Sequence, residues 1–338
     1  KPTTFKQDEI IFYAFSQGGR SLVATADLPS AALATDVVEL GGLADMNATD
    51  LQKALTGKRV SLSPSISAYS EGVNGSSTVK DLETLLQLNY LYFTAPRRDE
   101  ESYQTLMSIL DSQLANRDKN PKVAWSDSVQ MMASNYSDRT LIVNKELLSK
   151  ASLDKALEVY KARFANPADF TFFFVGNVNP ADPAFQTMVC TWLGGLKANK
   201  KLEKAADDKV RVAMGIQKNY FTRQMETKTA SNRIQYTSYD MPYTLANDLN
   251  MEMIGRILST RYLESIRERE GGSYGVGCAG WMNRYPVPYA QLIMQFDTDP
   301  EKQEKLMNII HEEVKTIIEN GPLAKDLQKE KESMLKDF

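Results

Sequence analysis

The sequence predicts an α+β protein built from two similar domains, each a mainly antiparallel sheet with helices packed on one face. Three observations lead there. The chain has 338 residues, more than a single hydrophobic core usually serves. Short stretches that alternate apolar and polar residues, the period of a half-buried strand, are interleaved with longer stretches at helical spacing. The order of those stretches over residues 1–200 recurs over 201–338, as two α+β units of one design require.

Glu9–Phe15 reads as the first strand, and Gly18-Gly19 turns the chain into a second extended stretch, Ser21–Ala26. Helical periodicity follows from Ala31 to Leu40 and stops at Gly41-Gly42. Asn47-Ala48-Thr49-Asp50 offers a cap for a helix over Leu51–Leu55. Val60–Ser67 alternates as a strand does, and Glu71–Gly75 reads as a turn. A long helix, Thr78–Phe93, sets Leu82, Leu85, Leu86, Asn89 and Tyr90 on one face and ends before Pro96. Further helices are expected at Glu100–Arg117, Lys145–Ser149 and Leu153–Phe164. Phe170–Gly176 is the strongest strand, and its near-continuous apolar run predicts burial on both faces. Asn179–Pro183 stops it and opens a short helix, Ala184–Leu193, closed by Gly194-Gly195. The polar, lysine-rich stretch Lys197–Lys209 is the expected linker, so the domains are drawn at 1–200 and 201–338.

In the second domain Ser231–Tyr239 is a strand and Asn247–Arg269 a helix. Ser273–Trp281 is a strand, Asn283–Pro288 a turn, and Tyr289–Asp297 the returning strand. Asp299-Pro300 opens a helix whose Lys305–Asn320 stretch places Leu306, Ile309, Ile310, Val314, Ile317 and Ile318 on one face. Gly321-Pro322 ends it.

Composition excludes several functions. Lys and Arg total 40 against 43 Asp and Glu, a net charge of −3, which gives no case for a nucleic-acid partner. No apolar stretch reaches the roughly 18–20 residues that span a bilayer. Cys190 and Cys278 are distant and outside any C-x-x-C pair, so they read as two free, partly buried thiols rather than a zinc site. The single histidine, His311, lies beside the apolar face of its helix and reads as a surface or boundary residue. One histidine supplies neither H-x-x-E-H nor a three-histidine metal site, and nothing near it supports Ser-His-Asp or Cys-His catalysis. No carboxylate cluster stands at ligand spacing, and no metal site is expected in this chain.

The most informative segment runs from Asn247 to Gly280. Arg267 and Tyr274 stand seven residues apart across a helix-to-strand junction, with Gly271-Gly272 between them to reverse the chain. Read functionally, they form a ligand clamp. Arg267 offers five donors in a rigid fork and Tyr274 a hydroxyl, donors suited to a scissile peptide or the oxyanion that forms on it. Read structurally, Arg267 is a helix-end cation favoured by the dipole and Tyr274 a strand residue with its ring in the core. Arg269 competes for the same role, and Glu268 and Glu270 are placed to pair with the arginines. The glycine run 271–277 precedes a strand rather than opening a helix and lacks a following Lys-Ser/Thr, which argues against a phosphate loop.

The segment resembles the pitrilysin/insulinase family of zinc peptidases, in which the tail of a helix reads Leu-x-x-Ile-Arg-Glu-x-x-Gly-x-x-Tyr-x-Val. Leu263, Ile266, Arg267, Glu268, Gly271, Tyr274 and Val276 match it residue by residue. Phe172–Gly176 with Asn177 resembles the family's Phe-x-x-x-Gly-Asn/Asp strand, and the opening Asp8–Gly19 and the Asp99–Leu110 helix are also similar. The resemblance implies two homologous halves, each of two α+β domains. The N-terminal half carries zinc on H-x-x-E-H and a distal Glu, and the Glu of the motif activates water. The C-terminal half carries the Arg/Tyr pair. In this chain Thr35, Val38 and Glu39 fall where the zinc motif would need His, Glu and His.

The resemblance therefore implies a C-terminal half, inactive alone, that anchors substrate through Arg267 and Tyr274, with Gly271 and Gly272 as the supporting turn. Zinc is expected in the N-terminal half or in a homologous partner subunit, and unfolded peptides are the expected substrates. The alternative is a non-catalytic peptide-binding or scaffold subunit beside a zinc-bearing homologue. Lys1 is not a natural start and Phe338 stops inside a helix-forming run, so a cut chain is expected. The working expectation for compartment is the bacterial periplasm or cell envelope.

Overall fold

The computed structural model describes residues 6–117, 119–199, 202–226, 228–268 and 275–337. The chain divides into two compact units, Lys1–Lys119 with Tyr136–Val210, and Asn120–Asn135 with Arg211–Phe338.

The first unit holds an antiparallel sheet of order β2-β3-β1-β4, with β1 at Ile10–Gln17, β2 at Val60–Ile66, β3 at Ser70–Ser77 and β4 at Thr171–Gly176. Along β1, Ile10, Phe12 and Ala14 are buried while Ile11 and Phe15 are each 46% exposed, the alternation that a one-sided core imposes. The covered face packs on Val37 and Val38 of helix Ala34–Gly41, Leu85 and Leu86 of helix Leu82–Thr94, and Ala156 and Tyr160 of helix Leu153–Arg163. The second unit holds a three-stranded antiparallel sheet of order β5-β7-β6, with β5 at Ala230–Ser238, β6 at Gly277–Asn283 and β7 at Tyr289–Thr298. Helices Leu245–Tyr262 and Gln303–Asn320 close its core around Tyr262, Ile266, Met294 and Ile310. Both units are α+β, as the alternating patterns require.

Several local expectations are corrected. Glu71–Gly75 is not a turn but the middle of β3, and the reversal lies at Ser67–Ser70, where Ser67 N–H donates to the Ser70 carbonyl at 2.7 Å. The glycines serve close approach: a Cβ on Gly72 would stand 2.3 Å from the Ala14 carbonyl oxygen, and one on Gly75 would stand 2.1 Å from that of Ser61. Ser21–Ala26 is not extended; 3-10 turns occupy Gly19–Leu22 and Thr25–Asp27. β4 is an edge strand rather than one buried on both faces. Phe172 and Phe174 join the core, whereas Phe173 stacks on Tyr13 at 4.5 Å on the open face and Val175 is 51% exposed. An edge position and a bare outer face leave that apolar run half wet.

A helix at Pro121–Ala133 escaped the sequence reading, because none of its residues is fully buried and its apolar residues form no stripe. Asn120 caps it, accepting from Lys122 N–H. Lys197–Lys209 is less free than its composition suggests: Ala206 N–H donates to Ser21 Oγ, and Glu203 pairs with Arg163 at 2.9 Å. On helix Gln303–Asn320, Ile318 is 78% exposed and so leaves the predicted apolar face. Cys190 is exposed rather than partly buried, and both cysteines are free.

The Gly18-Gly19 corner is braced by a buried carboxylate. Glu71 accepts the Gly19 N–H and lies near Arg163. Burial nevertheless raises its carboxyl above the ordinary 4.5, with the Gly19 bond and Arg163 opposing. The folded protein thus holds this proton more tightly than the unfolded chain does. The group favours folding most below the unfolded value and loses that contribution as pH rises through the raised folded value. Urea unfolding at about pH 4 and about pH 8 should show a smaller loss for Glu71→Gln than for wild type. Equal losses would assign the pH dependence to other groups.

Candidate functional site

Thr244 caps helix Leu245–Tyr262 by accepting the Asn247 N–H at 3.0 Å. The helix runs antiparallel along β6. Met282 N–H donates to Asp248 Oδ1 at 2.8 Å, and Ser259 Oγ both donates to the Cys278 carbonyl and accepts its N–H, at 2.9 and 3.1 Å. Between these pins Gly255 meets Gly280 backbone to backbone. A Cβ on Gly255 would stand 2.5 Å from the Gly280 nitrogen, and one on Gly280 would stand 2.2 Å from the Met251 carbonyl oxygen.

Beyond Tyr262 the helix widens into a π-helical turn, Leu263–Glu268. Single π turns inside α-helices occur frequently at functional sites, and this one was not legible in the sequence. Tyr262, Ser265 and Ile266 are buried, and Tyr262 donates its hydroxyl to the Ile310 carbonyl at 3.3 Å. Arg261 is tied to Glu313 at 2.6 Å. Arg267 turns outward: it is exposed, and among the described residues it makes no ion pair. An anchored turn therefore presents one guanidinium to solvent. The other predicted site residues, Tyr274, Gly271 and Gly272, lie outside the described residues, as does Arg269. Among the described residues beyond it, Val276 is buried in the same core as Ile266.

In the first unit, helix Ala34–Gly41 carries Thr35, Val38 and Glu39. Val38 is wholly buried and has no donor atom. Burial raises the Glu39 carboxyl, a hydrogen bond from Ser63 opposes this, and nearby Asp36 adds to the rise. A buried valine and a carboxyl biased toward its neutral form do not fit a zinc site, which needs deprotonated ligands. Among the described residues no group of three His, Cys, Asp or Glu is placed to hold a metal ion. His311 is exposed and its Nδ1 shares a 2.6 Å hydrogen bond with the Tyr236 hydroxyl. Burial pushes the Cys278 thiol up to about 12, so it stays neutral and unreactive near pH 7. No helix among the described residues is long and apolar enough to cross a membrane.

Over 97% of its length the chain is 23% identical to a zinc protease PQQL-like protein of Arabidopsis thaliana. The periplasmic protease PqqL from Escherichia coli shares the fold over 99% of this chain and 37% of its own, with TM-score 0.85 and 17% identity. A peptidase M16 inactive domain from Pseudomonas fluorescens does so over 98% of this chain and 79% of its own, with TM-score 0.73 and 14% identity. The chain spans about a third of the length of the curated relatives it matches, which are named zinc proteases. The family model described as peptidase M16 inactive domain matches residues 150–334, more than half of the chain. This protein therefore belongs to the M16 peptidases, the pitrilysin/insulinase family, as one of its inactive C-terminal domains.

Proposed function

We propose that this chain is the substrate-holding half of a zinc peptidase acting on unfolded peptides. Arg267 and Tyr274 anchor the peptide, Gly271-Gly272 form the turn between them, and zinc with its water-activating Glu is supplied by an N-terminal half. The observation that carries this reading is the exposed Arg267 on a π turn held by buried Ser265 and Ile266, inside the segment that matches the family's Arg/Tyr motif. A scaffold needs no outward guanidinium on so firmly anchored a turn. The first unit then serves as the wall opposite the zinc half, with Thr35, Val38 and Glu39 at the degenerate zinc-helix position. The periplasm or cell envelope is the proposed compartment, by likeness to the periplasmic relative.

A second reading has its own support. The Pseudomonas fluorescens structure, 79% of which this chain covers, is described as a peptidase M16 inactive domain by itself. Under that reading the protein is a peptide-binding or scaffold subunit of a separate zinc-bearing homologue.

Mixing decides between activity alone and activity by assembly. The isolated chain with added zinc should leave an unfolded, fluorogenic peptide uncleaved, and the zinc-bearing half should gain peptidase activity when this chain is added. Chelator-sensitive turnover by the isolated chain, or no gain on mixing, would overturn the first reading. In-frame H-x-x-E-H upstream of Lys1 would separate one polypeptide from two subunits.

A further inference from the structure

Core and open faces alternate along the strands of the second sheet. Leu292, Met294 and Phe296 of β7 enter the core, so Gln291, Gln295 and Asp297 face the other way. On β5, Arg233 is the register partner of Gln295 and shares that open face. Arg233 is partly buried, and its Nε is enclosed without a hydrogen-bond partner. Its Nη2 donates to Gln235 Oε1 at 3.0 Å, and Gln235 Nε2 in turn donates to Thr237 Oγ1 at 3.2 Å. This row of polar side chains along β5 fixes the direction of the guanidinium but brings it no negative charge.

A guanidinium that has lost part of its hydration normally regains it from a carboxylate. Arg256 and Arg261 of the same unit, also partly buried, do so: Arg256 meets Glu252 and Asp337 at 2.7 and 2.9 Å, and Arg261 meets Glu313 at 2.6 Å. Arg233 makes no ion pair among the described residues. Burial pulls its pKa below the ordinary 12.5, and no acid opposes the fall. Asp297, two residues beyond Gln295 on the same face, is held by Lys122 at 3.6 Å, and those two charges cancel. No other residue on the open face of the three strands is charged, so Arg233 leaves that face one positive charge in excess.

We propose that Arg233 and Gln295 form a carboxylate-binding subsite on the open face of the second sheet. The subsite deepens the peptide-holding reading above, on which it rests, by giving the peptide an acid to be held by: an acidic side chain or the free C-terminus. Directly opposed residues of an antiparallel pair have Cβ atoms about 4.5–5.5 Å apart, close enough for one carboxylate to meet both side chains. Its two oxygens engage the guanidinium fork, and the Gln295 amide donates to one of them from across the pair. Gln295 is exposed, so the carboxylate enters from its side. A lysine of the peptide at the same place meets like charge and is rejected.

The test uses the full chain and three dodecapeptides of one Gly/Ser/Leu sequence, each carrying an uncharged boron-dipyrromethene dye at its N-terminus. One has a central Glu and an amidated C-terminus, one has Gln in place of the Glu and the same amide, and one has that Gln and a free C-terminal carboxylate. Fluorescence anisotropy at low salt should show at least one acid-bearing peptide binding about tenfold more tightly than the neutral one, and the peptide that gains names the source of the carboxylate. Arg233→Ala should remove that advantage and leave the neutral peptide unaffected, while thermal unfolding shows the variant folded. Gln295→Glu supplies the missing carboxylate from the protein itself. It should remove the same advantage and raise the unfolding midpoint, and it is read in place of Arg233→Ala if that variant fails to fold. Equal affinity for the three peptides, or an advantage that survives either substitution, would overturn the subsite. The peptide-holding reading fails separately. If no peptide binds, yet sodium acetate in place of sodium chloride raises the midpoint of wild type and not that of Gln295→Glu, the carboxylate site stands without a peptide. No binding and no such acetate effect would overturn both.

Discussion

Replacing Arg267 by alanine in the zinc-bearing complete protein is expected to lower peptide cleavage by roughly 10- to 1000-fold, reaching the roughly 100- to 1000-fold loss typical of a removed oxyanion donor if the guanidinium serves the oxyanion directly. Tyr274→Phe, which removes one hydroxyl and keeps the ring, should fall at the lower end. The local architecture makes the arginine experiment clean. Ile266, Ser265 and Tyr262 hold the turn from the buried side, and Arg267 points to solvent, so truncation removes donors without opening a cavity. Thermal unfolding of Arg267→Ala should match wild type to within a degree or two, since exposed substitutions of this kind cost less than about 0.5 kcal/mol. The kinetic constants separate the possible roles. A fall in kcat at unchanged KM places the guanidinium on the developing oxyanion, whereas a rise in KM alone makes it an anchor for the ground state. Wild-type turnover in both variants would remove the pair from the mechanism.

The second large effect is structural and reaches the same site. Gly255→Leu is expected to destabilise the second unit by about 3 kcal/mol, the upper part of the range for overpacking a close contact. The helix and β6 touch through backbone at Gly255 and Gly280, and no side-chain rotamer relieves a Cβ that would stand 2.5 Å from a backbone nitrogen. The helix must move off the strand, and Arg267 at its far end moves with it. A displacement of about 1 Å at a reacting centre is enough to cost about 100-fold in rate. Urea unfolding should place Gly255→Leu well below wild type, with Gly280→Ala between them. Cleavage by any Gly280→Ala protein that remains folded should still fall. A Gly255→Leu protein as stable as wild type would mean that the interface accepts a side chain at this point.

Much of the fold could be read from local pattern. The alternation in β1, the helix stop at Gly321 and the cap at Asn47 each depend on a few neighbouring residues, and each stands in the structure: Asn47 accepts the Asp50 N–H at 2.9 Å, and Gly321 adopts φ 73°. The misreadings share one cause. Gly72 and Gly75 look like turn residues to a reader of nearest neighbours, yet their purpose is set by Ala14 and Ser61, far away in the chain. Phe170–Gly176 has the composition of a central strand but takes the edge, and no residue within it records which partner is missing. The helix Pro121–Ala133 has no apolar stripe to announce it.

The candidate site divides in the same way. Sequence singled out Arg267 by motif, and the structure adds the π turn and the buried flank that aim it outward. A cleft in the second unit, lined by residues 211, 212, 214, 239–242 and 287–288, had no signal in the sequence, because its walls come from three segments that only folding brings together. Residue identity and short-range period determined the α+β class, the family and the lack of a histidine pair for zinc, since each is a property of the chain itself. Tertiary structure alone decided which glycines permit close approach, which apolar strand faces water and where a cleft opens, since each depends on distant backbones meeting within a few ångströms.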